Sequence, residues 1–135
     1  MKVLFDTNVV LDVLLERRTF FAPAATLFSK VEAGEIEGLL GATTVTTVHY
    51  LCEKTLGKKG TIKVLGTLLK LFDIAPVNRL VLDGALHSKL PDFEDSVLHE
   101  AAIHVGAQVI VTRDPKGFKG AAISIFSPTE LTEIL

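Results

Sequence analysis

Short apolar runs alternate with longer segments along the whole chain, and this alternation restricts the possible folds more than any other feature. Val3, Leu4 and Phe5 form a continuous apolar run that stops at Asp6. Residues 108–112 (QVIVT) form another, followed by Arg113 and Asp114. A strand that reads as unbroken apolar sequence is covered on both faces. Further strands are expected at residues 72–75 and 123–126, with a short one at Leu39 and Leu40 between Gly38 and Gly41. Helices are expected between them. The first runs over residues 9–14 after a cap at Thr7 or Asn8. The second covers residues 21–33, with Pro23 in its first turn and Gly34 after its end. Others cover residues 61–71, 79–89, 92–105 and 128–135, with Pro91 ending the fourth and Gly106 closing the fifth. Residues 43–56 are ambiguous. Their threonines and valines favour a strand, whereas their length favours a helix capped by a threonine, with Gly57 and Gly60 bracketing a turn after it. The helical reading is preferred. Alternating strands and helices predict a parallel sheet with helices on both faces. No repeat, low-complexity tract or linker interrupts the pattern, so residues 1–135 are expected to form one α/β domain.

Composition narrows the function classes. The chain is 48% hydrophobic and 22% charged, ordinary for a globular protein. Its formal net charge of −2 supplies no global positive field, so any nucleic-acid contact needs a local patch. A single cysteine, Cys52, excludes an internal disulfide and fits a reducing compartment. The N-terminus MKVLFDTNVV lacks the pattern of a signal peptide, and no uncharged apolar run reaches the ~20 residues of a membrane span. A cytoplasmic protein without membrane contact is the expectation.

Two of the strands end in an acid: Asp6 after the first and Asp114 after QVIVT. In an open parallel sheet, sites form outside the carboxyl ends of the strands, so both carboxylates belong on one rim. The stretch DFEDSVLHEA, residues 92–101, adds Asp92, Glu94 and Asp95. Asp95 precedes Leu98 by three residues and Ala102 by seven, which puts it on the apolar face of its helix. A carboxylate facing a core needs a cation, hydrogen-bond donors or a metal, because burying a lone charge is costly. Asp92 lies on nearly the same face, and Glu94 points away towards solvent. Two readings stand side by side. Asp92 and Asp95 are a helix cap and a capping-box acid favoured by the helix dipole. Alternatively, Asp6, Asp95 and Asp114 meet around a hard divalent cation, for which magnesium and manganese prefer oxygen ligands. Such sites act on phosphodiesters.

The order DTNVVLDVLL, then DFEDSVLHEAA, then VTRDPKGF resembles the PIN domain, and within it the small single-domain branch that includes VapC-like toxins. The resemblance runs from residue 1 to about 130. It implies a sheet of four or five parallel strands and a metal-dependent endoribonuclease leaving 5′-phosphate and 3′-hydroxyl ends. It implies that Asp6, Asp95 and Asp114 hold Mg²⁺ or Mn²⁺. Asn8 and Thr112 match positions that steady the site by hydrogen bonds, and Asp92 an extra acid nearby. It also implies an RNA substrate, a homodimer and a small antitoxin in a hydrophobic groove between residues 12–33 and 43–56. One departure stands out. The family usually carries an acid in the helix after the second strand, and ATTVTTVHYLCEK has Thr47 there. Glu53 is six residues on, about 240° round the helix, and is a poor substitute. A catalytically impaired PIN-like module that binds RNA or a partner protein is therefore the alternative.

Other features carry less. Arg113, Lys116 and Lys119 flank Asp114 and are the preferred contacts to an RNA backbone. Lys54, Lys58, Lys59 and Lys63 read better as a solvated surface. The four histidines show no zinc spacing, Cys52 reads as packing, and so do Phe20 and Phe21. A haloacid-dehalogenase-type phosphatase needs a second acid where Asn8 stands. A receiver domain needs its acid on a middle strand.

Overall fold

The computed structural model describes residues 1–135. The elements are β1 (Lys2–Phe5), α1 (Thr7–Leu14), α2 (Phe21–Glu32), β2 (Glu37–Gly41), α3 (Ala42–Leu71), β3 (Asp73–Ala75), α4 (Arg79–Leu86), α5 (Phe93–His104), β4 (Val109–Val111), β5 (Ser124–Phe126) and α6 (Pro128–Ile134). A 3₁₀ turn, Pro115–Phe118, follows β4. The five strands form one parallel sheet in the order β3-β2-β1-β4-β5. β1 pairs with β2 through Leu4 and Leu39, and with β4 through Leu4 and Ile110. The expected α/β architecture with helices on both faces is present, with five strands.

The unbroken apolar runs now have a physical account. Successive side chains of a strand point to opposite faces. Val3 and Phe5 enter one core with Val109, Val111 and Leu40, whereas Leu4, Ile110 and Leu39 enter the other. The first core lies under α1, α2, α3 and α6, and the second under α4 and α5. Each fully buried Val, Leu or Phe contributes about 1.5–3 kcal/mol of transfer free energy. Phe5, Phe28 and Phe72 lock the first core, with ring centroids 5.0–5.7 Å apart in edge-to-face contact.

Several local expectations are corrected. The cap of α1 is Asp6, whose side chain accepts from the Thr7 amide, not Thr7 or Asn8. Residues 43–56 are helical, but the cap is Gly41, and no threonine side chain caps the helix. Gly57 and Gly60 do not bracket a turn. The helix kinks at Gly57 alone (φ 71°, ψ 177°), a conformation that side-chain-bearing residues avoid, and continues to Leu71. α4 ends at Leu86, three residues short of the expected end. α6 begins with an unforeseen reciprocal cap, in which the Ser127 side chain accepts from the Glu130 amide and Glu130 accepts from the Ser127 amide. No helix is long and apolar enough to cross a membrane.

Candidate active site

β1 and β4 lie side by side, so the residues that follow them meet on the carboxyl rim. The Asp6 amide donates to Val111 O (2.9 Å), extending the ladder one step past β1. The Asp6 side chain is only 7% exposed and is held at both oxygens. Oδ1 accepts from the Thr7 amide (2.8 Å) and Oδ2 from the Thr112 hydroxyl (2.7 Å). Thr112 Oγ1 in turn accepts from the Asp114 amide (3.0 Å), which leaves its own proton for Asp6. One buried hydroxyl thus sets the spacing between the two strand-end acids. Asn8 Oδ1 accepts from the Arg113 amide (3.3 Å) and fastens the same loop to α1. Asn8 and Thr112 thus each make hydrogen bonds to the segment that carries Asp114.

α5 brings the remaining acids. Asp92 is its cap: Oδ2 accepts from the Asp95 amide (3.1 Å). Asp95 sits in the first turn, half-buried, and Leu98 one turn later is buried in the second core. The space for Asp95 exists because residue 117 is glycine. A Cβ there would overlap Asp95 Oδ2 and lie 3.8 Å from Asp114 Oδ2. Gly117 does not have a left-handed backbone, so space, not backbone conformation, is what a side chain would violate here.

Asp6, Asp92, Glu94, Asp95 and Asp114 line one cleft of about 410 Å³, with Thr47 and Asn8 on its wall. Glu94 is exposed, as expected, and it also lines this cleft. Burial pushes the Asp95 carboxyl up to about 7, helped by the negative charges of Asp6, Asp92, Asp114 and Glu94. Burial also raises Asp6, against the hydrogen bonds from Thr112 and Thr7 that favour its charged form. No basic side chain answers these charges. Every ion pair lies elsewhere: Arg17 and Arg113 with Asp12, Lys30 with Glu35, His49 with Glu53. The acids do not close into a compact three-ligand cluster, yet their chemistry fits a hard cation: all oxygen, uncompensated, and reachable from solvent.

The other candidates separate. Lys116 and Lys119 are exposed on the loop carrying Asp114. Arg113 is turned from the cleft. Its Nε and Nη2 donate to Asp12 (2.5 and 3.2 Å), and its guanidinium lies 3.9 Å from the Phe20 ring centroid. Asp12 is fully buried and escaped the sequence reading. Its signal was present: an acid set among Val9, Val10, Leu11, Val13 and Leu14 requires a buried partner. Glu53 pairs with His49 (3.3 Å) and is absent from the cleft wall. His99 is a packed histidine, held neutral by burial, with Nε2 accepting from the Ala122 amide (3.0 Å). Cys52 is buried in the first core.

Known proteins share this fold. Ribonuclease VapC1 of Aquifex aeolicus is 24% identical over 137 residues, spanning 98% of this chain and 94% of that protein. The structure of VapBC2 from Rickettsia felis bound to a DNA fragment from their promoter superimposes with a TM-score of 0.71 at 15% identity, over 94% of this chain and 98% of that one. A toxin–antitoxin complex from Klebsiella pneumoniae superimposes with a TM-score of 0.70 at 22% identity, over 93% and 97%. The family model of the PIN domain matches residues 2–116, and the chain belongs to the PIN domain family.

Proposed function

We propose that the protein is a divalent-metal-dependent endoribonuclease acting as the toxin of a toxin–antitoxin pair. The observation that carries the reading is the cleft of five carboxylates with no protein cation. Asp6, Asp95 and Asp114 would hold Mg²⁺ or Mn²⁺, directly or through water, and Asp92 and Glu94 add negative charge at its edge. A cation bound there supplies a Lewis acid for the phosphodiester and lowers the pKa of an attacking water. The chain's own part is positional. The Thr112 hydroxyl and Thr7 amide keep Asp6 aimed into the cleft, Asn8 anchors the loop of Asp114, and Gly117 admits Asp95. Lys116 and Lys119 are the exposed cations nearest Asp114 and would meet the RNA backbone. Arg113 does not join them at the cleft, because its guanidinium is turned away from the acids onto Asp12 and Phe20.

The ribonuclease name of the Aquifex aeolicus relative and the toxin–antitoxin complex among the structural neighbours support this reading. An antitoxin segment has a place to lie. An apolar groove of about 430 Å³ runs between Leu14 and Phe28 on one side and Leu56, Val64, Leu68 and Leu71 on the other. It sits further along α3 than the expected residues 43–56. A homodimer completes the proposed assembly. Thr47, a hydroxyl on the cleft wall, favours a second reading, in which a weakened metal site leaves an RNA- or protein-binding module.

Cleavage of a mixed RNA pool tests the proposal. Cutting that requires Mg²⁺ or Mn²⁺, stops with chelator and is lost in Asp6→Asn and Asp95→Asn is expected. Cutting that survives both substitutions overturns it, and folded protein that binds Mn²⁺ without cutting favours the second reading.

A further inference from the structure

A second cavity lies beside the acid cleft on the same rim. It has a volume of about 500 Å³ and is walled by Thr19, Phe20, Arg113, Ser127 and Thr129. The acid cleft lies at the ends of β1 and β4. This cavity lies at the ends of β4 and β5, since Arg113 follows one and Ser127 the other. Arg113 is the partition. Its amide donates to Asn8 in the cleft wall, and its guanidinium lines the neighbouring cavity over Phe20.

The cavity wall is organised for a planar, anionic guest. Asp12 fixes the guanidinium plane through Nε and Nη2, leaving Nη1 without a protein partner. Phe20 remains 42% exposed. The loop that delivers it holds Glu16 at φ 47° and Thr19 at φ 76°. A β-branched residue in the left-handed region costs on the order of 1 kcal/mol or more, so packing must hold that loop in place. Arg113 is the cation of the cavity wall; the buried Asp12 that holds it is also reached by Arg17 (3.7 Å), and the nearest acid on the opposite side, Glu130, accepts from the Ser127 amide.

We propose that this cavity binds one nucleotide of single-stranded RNA next to the cleaved bond, its base stacking on the Phe20–Arg113 pair and its phosphate facing Arg113 Nη1. The proposal rests on the ribonuclease reading for its substrate. Aromatic rings and guanidinium planes are the surfaces on which unpaired bases stack, with little dependence on sequence. A strand following the rim would then pass from a cation-bearing cleft to a cationic stacking site, which the acids alone could not offer a polyanion.

Uridine 5′-monophosphate titrated into the full ¹⁵N-labelled chain, with chelator present, reads the site directly. Saturable amide shifts at Thr19, Phe20, Arg113 and Thr129 are expected, kept in Phe20→Trp and weakened at least about fivefold in Phe20→Leu. Inorganic phosphate alone should not shift Phe20. Shifts confined to residues 116–119, equal affinity in Phe20→Leu, or the full pattern from phosphate alone would overturn the subsite. In steady-state cleavage, Phe20→Leu should raise KM for RNA at least about fivefold with kcat and Mn²⁺ affinity unchanged; a fall in kcat at constant KM counts against it. Nucleotide binding at Phe20 in a protein that cuts no RNA would retain the subsite and remove the ribonuclease reading.

Discussion

Asp12 and Asp95 are both aspartates on helices that border the carboxyl rim, and they solve burial in opposite ways. Asp12 is fully buried and gripped by Arg113 in a two-pronged bond, with Arg17 nearby. Asp95 is half-buried among four other acids and has no basic partner; its carboxyl is pushed up to about 7. The first arrangement is complete within the protein. The second is complete only with a proton or a foreign cation. Acids alone therefore do not mark a site: what marks it is a group of acids whose charge the fold leaves uncompensated.

Breaking the Asp12 side of this comparison should have the largest effect. Asp12→Ala leaves the partly exposed Arg113 without its partner, and the loss of two charge-assisted hydrogen bonds should cost about 2–3 kcal/mol. Urea denaturation of Asp12→Ala against wild type measures it, and a loss below about 1 kcal/mol would show that the pair is ornamental to stability.

The Asp95 side should behave in reverse. Its folded pKa of about 7 lies above the ordinary 3.8, so the folded protein keeps a proton that the unfolded chain has released. Stability of the metal-free protein is therefore expected to fall as pH rises from about 4 to about 7. Discounted for the partial exposure of Asp95, the fall is about 1–2 kcal/mol. Asp95→Asn should abolish that fall while also abolishing Mn²⁺ binding by calorimetry. A variant that is less stable than wild type at pH 7 in chelator would contradict the contrast.

Gly117→Ala sharpens the comparison without touching an acid. The backbone tolerates alanine, so stability should stay within about 0.5 kcal/mol. The displaced Asp95 carboxylate should lower Mn²⁺ affinity about tenfold, the scale on which groups supporting a metal ligand act. Unchanged affinity would mean that Asp95 swings aside without consequence. The smallest effect is expected from Thr47→Glu, which adds a sixth carboxylate to the cleft wall. Mn²⁺ affinity should rise a few-fold, and the midpoint of metal-free denaturation should drop slightly through like-charge repulsion.

Much of this was legible in the chain. β1 and β4 were visible as apolar runs because burial on both faces admits no polar residue. The rim location of Asp6 and Asp114 followed from their place after those strands. Asp95 was visible from helical phase, with the cap at Asp92 readable beside it. The caps of α1 and α3 were misread because Asp6, Thr7, Asn8, Thr43 and Thr44 are all competent cap formers at neighbouring positions, and the strand ends choose among them. The solvent exposure of Glu94 was also readable, but its place on the cleft was not, because helical phase says where a side chain leaves the helix and not what the next loop places opposite it.

The sequence by itself determined the periodicities: which segments are strands, which are helices, and which acids close the strands. Those follow from interactions within a few residues and from the burial of alternate side chains. Tertiary structure alone decided the partners. Thr112 reaches Asp6 across 106 residues and Arg113 reaches Asp12 across 101, and Gly117 makes room for Asp95. Local pattern cannot specify such pairs, because whether a buried carboxylate finds an arginine or only other acids depends on which strand ends the sheet order sets side by side.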